Sequence, residues 1–326
     1  MSYSWKHQHA WLGGVLAILG VLDGGRSTLL AEESLPAYHK VSGLEGSLSS
    51  IGSDSLKNLM THWGEAFRQL YPNVTIQIEG KGSATVPPGI SQGVAQLGPI
   101  SRKMKPEEEQ VFEKKRGFKP TCLSVAVDCV AVYVHKDNPL QGLTMAQVDG
   151  IFSTTQNSGI PDLVTWGDAG LAGPLAKLPI SIYGRNSDSG TYAYFRQQAL
   201  LQGEYKDTVR EEESSAAVVQ GVATDPAGIG YASLGYRTSD VRALPLGKTL
   251  KAPLAEASIE NAVAGSYPLG RTLHIYVAKR PQQPLPKLNE EFLKFVLSKD
   301  GQEVVVKAGY GALPHSVVTK QLDLLK

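Results

Sequence analysis

Leu56, Leu59, Met60, Trp63, Phe67 and Leu70 recur at intervals of three and four residues, which places all six on one helix face. Asp54 or Ser55 stands where a cap is needed, and Tyr71-Pro72-Asn73 ends the pattern. The apolar run Leu48–Ile51 before this helix and the alternation of Val74–Ile78 after it read as strands. Pro87-Pro88 opens a short helix, where a missing N–H is tolerated. Ala95–Gly98 reads as a third short strand, and Pro106 followed by three glutamates starts the next helix with acids in its first turn. Strand, polar turn and helix thus alternate. That alternation argues for an α/β domain with a mainly parallel sheet, in which ligands sit beyond the C-terminal ends of strands.

Cys122–His135 is the longest β-rich run, stopped by Asp137-Asn138-Pro139. Leu143–Phe152, Tyr192–Leu200, Ser214–Ala223, Leu288–Leu297 and Gly301–Lys307 read as helices. Leu178–Tyr183, Ile229–Tyr231 and Arg271–Val277 read as strands, and the pattern closes on Gly311-Ala312-Leu313-Pro314. The sequence holds no internal repeat or low-complexity tract.

Composition narrows the class. The chain of 326 residues has room for two domains, and its 42% hydrophobic and 19% charged content describes a soluble globular protein. A net charge of +1 gives no basic surface for nucleic acid, so an anion binder of this composition must gather its donors in one place. Lys6, then the apolar run Ala10–Leu22, then Leu29-Leu30-Ala31 have the layout of a secretory signal spanning residues 1–31, with cleavage near Ala31 and a periplasmic destination. An uncleaved anchor is the competing reading. No cysteine follows the run, so lipidation there is not expected. The two cysteines, Cys122 and Cys129, lie in one extended run about 23 Å apart, beyond disulfide reach. Without a Cys-x-x-Cys or paired-His spacing, neither metal nor cofactor is expected.

The most chemically suggestive stretch is Gly184–Thr191, Gly-Arg-Asn-Ser-Asp-Ser-Gly-Thr, between a strand and a helix. Ser189 is placed as an N-cap, and Gly190 lets a ligand approach the backbone. The first N–H groups of the helix, with its dipole, attract an anion, and Arg185 adds a fork of donors suited to an oxyanion. An ordinary capped helix with Arg185 paired to Asp188 is the bland alternative. Three further turns repeat the design: Ser53-Asp54-Ser55, Gly82-Ser83-Ala84-Thr85 and Ser101-Arg102. Each alone satisfies no more than capping; four in one α/β chain, with two arginines, point to a shared small-anion site.

Gly52-Ser53-Asp54, Gly80-x-Gly82-Ser83, Gly98-Pro99-Ile100-Ser101-Arg102, Arg185-x-x-x-Ser189-Gly190-Thr191 and Ile229-Gly230-Tyr231 occur in an order that resembles the phosphate-binding proteins of bacterial ABC phosphate importers. Tyr267-Pro268-Leu269, Ile275-Tyr276-Val277 and Ser298-Lys299-Asp300-Gly301-Gln302 are also similar to that family, so the resemblance covers about residues 46–316. It implies a two-lobed periplasmic-binding-protein fold, each lobe a mixed, mainly parallel sheet flanked by helices. Lobe one would be 46–122 with 273–326 and lobe two 129–268, with hinge crossings near 121–128 and 269–273. It implies inorganic phosphate as ligand, a membrane permease as partner, a monomer, and no enzymatic activity.

By position, the resemblance assigns phosphate binding to Ser83, Arg185, Ser189, Gly190 and Thr191; Asp54, Ser55, Ser101 and Arg102 join them as candidates from the matching turns, Arg102 either touching the ligand or only orienting Asp54. Two positions depart from its common pattern. Asp54-Ser55 stands where many members have Thr-Phe, and Ser101, followed by Arg102, stands where many have an aspartate. Phosphate at neutral pH carries a proton and sulfate does not, so a buried carboxylate selects between them. With Ser101 in the usual carboxylate position, Asp54 becomes the expected proton acceptor, a plain N-cap being its alternative role. Rival functions are a receptor for another tetrahedral oxyanion, a secreted phosphate-ester hydrolase, and an interaction protein that keeps the fold. No nucleophile elbow, Walker loop or His-rich spacing supports the hydrolase, and His62, His135 and His274 fit structural positions.

Overall fold

In the computed structural model, which describes residues 35–326, the chain opens on a segment without regular structure. Its Leu35, Tyr38 and Val41 lie against the first apolar core. The expected signal at 1–31 lies outside the described residues. Three strand–turn–helix units follow: β1 (Gly46–Gly52) to α1 (Lys57–Leu70), β2 (Val74–Gly80) to α2 (Val86–Gln92), and β3 (Gly98–Ile100) to α3 (Pro106–Arg116). The helix-face reading holds for α1: Leu59, Met60, Trp63 and Phe67 are buried, as is Leu56 just before it. Phe67 meets Phe292 edge-on at 5.3 Å, so the stripe is an aromatic seam between α1 and a C-terminal helix.

β3 begins at Gly98, where the sequence places the end of a strand over 95–98. Residues 95–97 are held instead by isolated bonds, Gln96 N–H to Ser49 C=O at 2.9 Å and Ile51 N–H to Leu97 C=O at 3.2 Å. Only beyond Gly98 does a partner strand run alongside.

β4 (Thr121–His135) is the axis of the molecule. Further along the chain come β5 (Leu143–Thr144), α4 (Met145–Phe152), β6 (Ser181–Arg185), α5 (Gly190–Gln198), β7 (Arg210–Glu212), α6 (Ser215–Thr224), β8 (Gly228–Ser233), β9 (Val241–Ala243), β10 (Leu246–Gly247) and α7 (Ile259–Val263). β11 (Gly270–Val277), α8 (Lys287–Leu297), α9 (Lys299–Lys307) and α10 (His315–Asp323) complete the order. The main sheet runs β3-β11-β4-β8-β6-β7, with β9 also on β4, and β1 pairs with β2 separately. Every antiparallel ladder includes β4 or β11, while β1–β2, β6–β7, β6–β8 and β5–β10 are parallel. The sheet is therefore mixed, and the long central strand explains why: it is covered on both faces and reads as an almost unbroken apolar run.

Two large cores divide along that strand. Leu123, Val125 and Ala126 of β4 join Leu273, Ile275 and Val277 of β11 in a core with α1, α8 and α9. Cys129, Val130, Val132 and Val134 join a second core with Phe152, Phe195, Tyr231 and Leu269. The chain thus has two lobes; β4 contributes to both cores, and β11 follows directly on Leu269 of the second. Smaller clusters seat α6 on β4 and β8, and α2 and α3 beside β3. Cys122 and Cys129 are both free thiols, and burial raises the pKa of each above its ordinary value. α10 follows Pro314, where the sequence reading stops; its amphipathic stretch is short, and only Val318 is buried. Among the described residues no helix is long and apolar enough to cross a membrane.

Candidate functional site

The polar turns at the ends of β1, β2 and β3 are laced together by backbone. Gly82 N–H donates to Gly52 C=O at 2.9 Å, and Ser53 N–H to Pro99 C=O at 2.7 Å. Gly52 has to be glycine, because a Cβ there would strike that Pro99 carbonyl. Gly82 holds φ at 103°, which permits the chain to leave β2 and turn at once into the helical turn of Ser83–Thr85. Ser83 Oγ and Ser101 Oγ come within 3.2 Å, and Ser53 Oγ donates to Ser101 Oγ at 3.0 Å. Three hydroxyls from three turns therefore face one another.

The fourth turn arrives from the other lobe. Ser189 caps α5 as its position predicts, its Oγ accepting from Thr191 N–H at 3.1 Å and Tyr192 N–H at 3.3 Å. Thr191 Oγ1 lies 2.7 Å from Ser55 Oγ, and Ala84 N–H donates to Asp188 C=O at 3.1 Å. A Cβ on Gly190 would run into Ser83 Oγ and Ser101 Oγ, so the N-terminus of α5 abuts the serine cluster with no room to spare. The first N–H groups of a helix have no intrahelical acceptor, and here they meet two other helix-start turns.

Arg185, the last residue of β6, is buried and heavily constrained. Its Nε donates to Glu212 C=O at 3.2 Å and Nη2 to Glu213 C=O at 3.0 Å. Its Nη1 donates to Asp54 Oδ2 and to Ser215 Oγ, each at 3.1 Å. Tyr231 Oη accepts from its backbone N–H at 3.3 Å. Burial lowers the guanidinium's pKa from its ordinary value, and the Asp54 carboxylate opposes that shift. Arg185 is thus paired with Asp54, and the bland pairing with Asp188 is not observed. Nor does Asp54 or Ser55 cap α1: a single turn of tighter helix over Asp54–Leu56 intervenes, and no side chain caps either start. Asp54 Oδ2 instead accepts from Arg185 and from Ser215 N–H at 2.8 Å, while Tyr236 Oη donates to the Asp54 carbonyl at 2.7 Å. Both donors thus reach the same oxygen, Oδ2, of this buried carboxylate.

The structure brings together Asp54, Ser55, Ser83, Ser101, Arg185, Ser189, Gly190 and Thr191. It places Arg102 differently. Both of that residue's Nη groups bond Glu108 at 2.7 Å in a forked pair, and Lys105 N–H donates to the same carboxylate at 2.8 Å. Burial would raise the Glu108 carboxyl, but Arg102 and the Lys105 N–H outweigh it and hold its pKa below the usual value. Arg102 therefore spends its fork fixing the start of α3.

Two ionised residues escaped the sequence reading. Asp128 of β4 faces Arg271 of β11 in register, and both are buried. Arg271 Nε donates to Asp128 Oδ2 at 2.9 Å. Its Nη2 reaches Thr191 Oγ1 at 3.0 Å, Ser233 Oγ at 3.2 Å and Ser55 Oγ at 3.3 Å. The signal for Asp128 was there: it is a lone carboxylate inside the apolar run Val125–Val134, where an unpaired charge cannot be buried. Arg271 carried no such mark.

The site thus offers two guanidiniums, two carboxylates, a ring of hydroxyls and helix N-termini. Among the described residues the one buried histidine, His274, contacts Ser124 at 3.4 Å and none of these hydroxyls. Among the described residues no cluster could hold a metal ion. Guanidinium forks, hydroxyls and helix starts gathered in this way are the donors an oxyanion calls for.

Comparison with known proteins agrees with the geometry. A family model described as the PBP superfamily domain matches residues 39–300. The phosphate-binding protein PstS of Pseudomonas aeruginosa is 52% identical over 304 residues, covering 93% of this chain and 94% of that one. PstS of Bacillus subtilis is 28% identical, covering 92% and 91%. Among solved structures, a putative phosphate ABC transporter substrate-binding protein with bound phosphate from Clostridium perfringens superposes with a TM-score of 0.70 at 26% identity, over 82% of this chain and all of its own (100%).

Proposed function

The chain belongs to the PBP superfamily and, within it, to the phosphate-binding proteins of bacterial ABC phosphate importers, and from that premise we propose that it captures inorganic phosphate between its two lobes and delivers it to such an importer. It is a receptor and not an enzyme. The observation that carries the reading is the meeting of Ser83 and Ser101 from one lobe with the capped start of α5 from the other, beside the Arg185–Asp54 pair.

On this reading Asp54, Ser55, Ser83, Ser101, Arg185, Ser189, Gly190 and Thr191 contact phosphate, and Arg102 supports the third turn through Glu108. Lobe one is 46–122 with 273–326, lobe two is 129–268, and the crossings at 121–128 and 269–273 are the hinge. The change of core along β4, and from Leu269 to Leu273, supports those limits. Phosphate is held by donors from Arg185, the hydroxyls and the helix starts, while Asp54 Oδ1 accepts the proton that phosphate carries. Sulfate has no proton to give, so it would set its charge against that carboxylate. A micromolar site needs about 8 kcal/mol, and charge-assisted hydrogen bonds contribute roughly 1.5–3 kcal/mol each, so a handful suffices after the cost of closure. The protein is exported by its first 31 residues, acts as a monomer in the periplasm, and docks on a membrane permease.

Displacement of labelled phosphate from ligand-stripped protein tests the reading. Unlabelled phosphate is expected to compete fully and sulfate at equal concentration to leave the signal unchanged. Equal competition by sulfate would turn the site into a general oxyanion receptor. Release of phosphate from an ester would revive the hydrolase.

A further inference from the structure

We propose that Arg271 is a positioning residue for phosphate: it acts from the hinge, through Ser55 and Thr191, by fixing which way their hydroxyl protons point. The proposal rests on the phosphate reading of the site and extends it to a residue that touches the ligand only through others.

What Arg271 can do is set by the chemistry of a guanidinium. It has donors and no acceptor, so any hydroxyl oxygen within reach of it must accept. Arg271 Nη2 lies 3.3 Å from Ser55 Oγ and 3.0 Å from Thr191 Oγ1. With both oxygens accepting from Arg271, their own protons are turned away from it. The two hydroxyls lie 2.7 Å apart, so in the structure one donates to the other and the second proton is left over. An oxyanion brought between the lobes can take that second proton, and the first as well if it draws the two hydroxyls out of their mutual bond. Ser55 comes from the turn before α1 and Thr191 from the first turn of α5, so one side chain orders a donor from each lobe.

Arg271 is itself held where the lobes join. Asp128, its partner in register on β4, accepts from Nε at 2.9 Å and lies 2.8 Å from Nη2. Ser233 Oγ donates to the same carboxylate oxygen at 2.8 Å. The guanidinium lies over the Tyr194 ring at 5.2 Å, and Tyr194 Oη donates to the Gly270 carbonyl at 2.7 Å, which ties α5 to β11 a second time. The cluster is poorly arranged for stability alone. Arg271 Nη1 and Asp128 Oδ1 are buried with no protein partner, and a buried ion pair with loose ends is often matched or bettered by apolar residues.

Donor orientation also bears on how phosphate sits. A pair of hydroxyls whose protons are turned towards the ligand favours a bare oxygen there over a P–OH. That leaves the ligand's proton for the Asp54 carboxylate. Arg271 and Asp54 thus set opposite ends of one ligand.

The test is a double-mutant cycle read by phosphate affinity, with thermal melts to confirm folding. Arg271→Gln keeps a planar polar head but lets the hydroxyls turn, and is expected to weaken phosphate about tenfold or more in the otherwise native protein. In a Ser55→Ala/Thr191→Val background the same change is expected to weaken it by no more than about twofold, because the groups it orders are gone. A loss of the same size in both backgrounds overturns the proposal, since it would mean that Arg271 acts by its charge or through the fold. So does an Arg271→Gln protein that binds phosphate as the native one does. If Arg271→Gln does not fold, Arg271→Lys is put through the same cycle with the same two readings. Native protein that binds no phosphate overturns the function proposed above and this inference with it; native binding with an additive cycle overturns this inference alone.

Discussion

Arg185 shows how a single side chain is prepared for an anion. Two backbone carbonyls fix the plane of its guanidinium, and Asp54 and Ser215 fix its inner edge, so little entropy remains to be lost when a ligand arrives. Arg185→Ala removes that fork and leaves Asp54 buried without its counter-charge. Phosphate affinity should fall about 100-fold or more, the scale of one or two charge-assisted hydrogen bonds. Equilibrium dialysis reads it, and a value within twofold of native would put the site elsewhere. His274 supplies a second residue-scale prediction, about stability. Burial, helped by Lys103, pulls its pKa from 6.5 down to about 4. The unfolded chain therefore binds a proton more readily than the folded one between those two values. Stability from this group is complete above pH 6.5 and is lost as pH falls through about 4, by something on the order of 3 kcal/mol. Urea midpoints measured from pH 7 to pH 4 should drop less steeply in His274→Gln than in the native protein; parallel curves would remove His274 from the account.

At the scale of elements, the site is made where short helices begin. Gly190 carries the sharpest consequence, because its missing side chain is what lets α5 come up against Ser83 and Ser101. Gly190→Ala obstructs that approach without touching either core. Phosphate affinity should fall by about 100-fold or more while the melting temperature stays within a few degrees of native, since each lobe keeps its own packing. Calorimetry and a melt on the same sample check both halves, and native affinity would mean the approach is not needed. This scale also shows what could be read from sequence. α1 was legible because six apolar residues share its face, and α5 because Ser189 and Gly190 carry both cap and turn. The strand put at 95–98 begins at Gly98, because pairing with β11, not local alternation, decides where it starts. Asp54 was legible as an acid near a helix start, but its real partners are 131 and 161 residues away in sequence, and no local pattern could supply them. Arg102, beside a matching motif, is claimed by a glutamate six residues on. The Asp128–Arg271 pair needs two strands to be laid side by side before it exists.

Across the whole molecule, the contacts that make the site are the contacts that join the lobes. Asp54 of one meets Arg185 and Ser215 of the other, Ser55 meets Thr191, and Ala84 meets Asp188. β4 passes from one core to the other and β11 leads away from Leu269 of the second core into the first, so on the proposed reading a small change of angle at 121–128 and 269–273 would move these pairs together. On that reading, binding and closure are one event, and selectivity depends on a carboxylate in lobe one being brought to a guanidinium in lobe two. The most direct measurement is isothermal calorimetry of the ligand-stripped protein at pH 7.5 with phosphate and then sulfate, for the native chain and for Asp54→Asn. Tight one-to-one phosphate binding with no heat from sulfate is expected in the native chain, and a narrowed gap between the two anions in Asp54→Asn. Native protein that is folded and ligand-free yet gives no phosphate heat, or an Asp54→Asn protein with the native preference intact, would contradict the proposed reading.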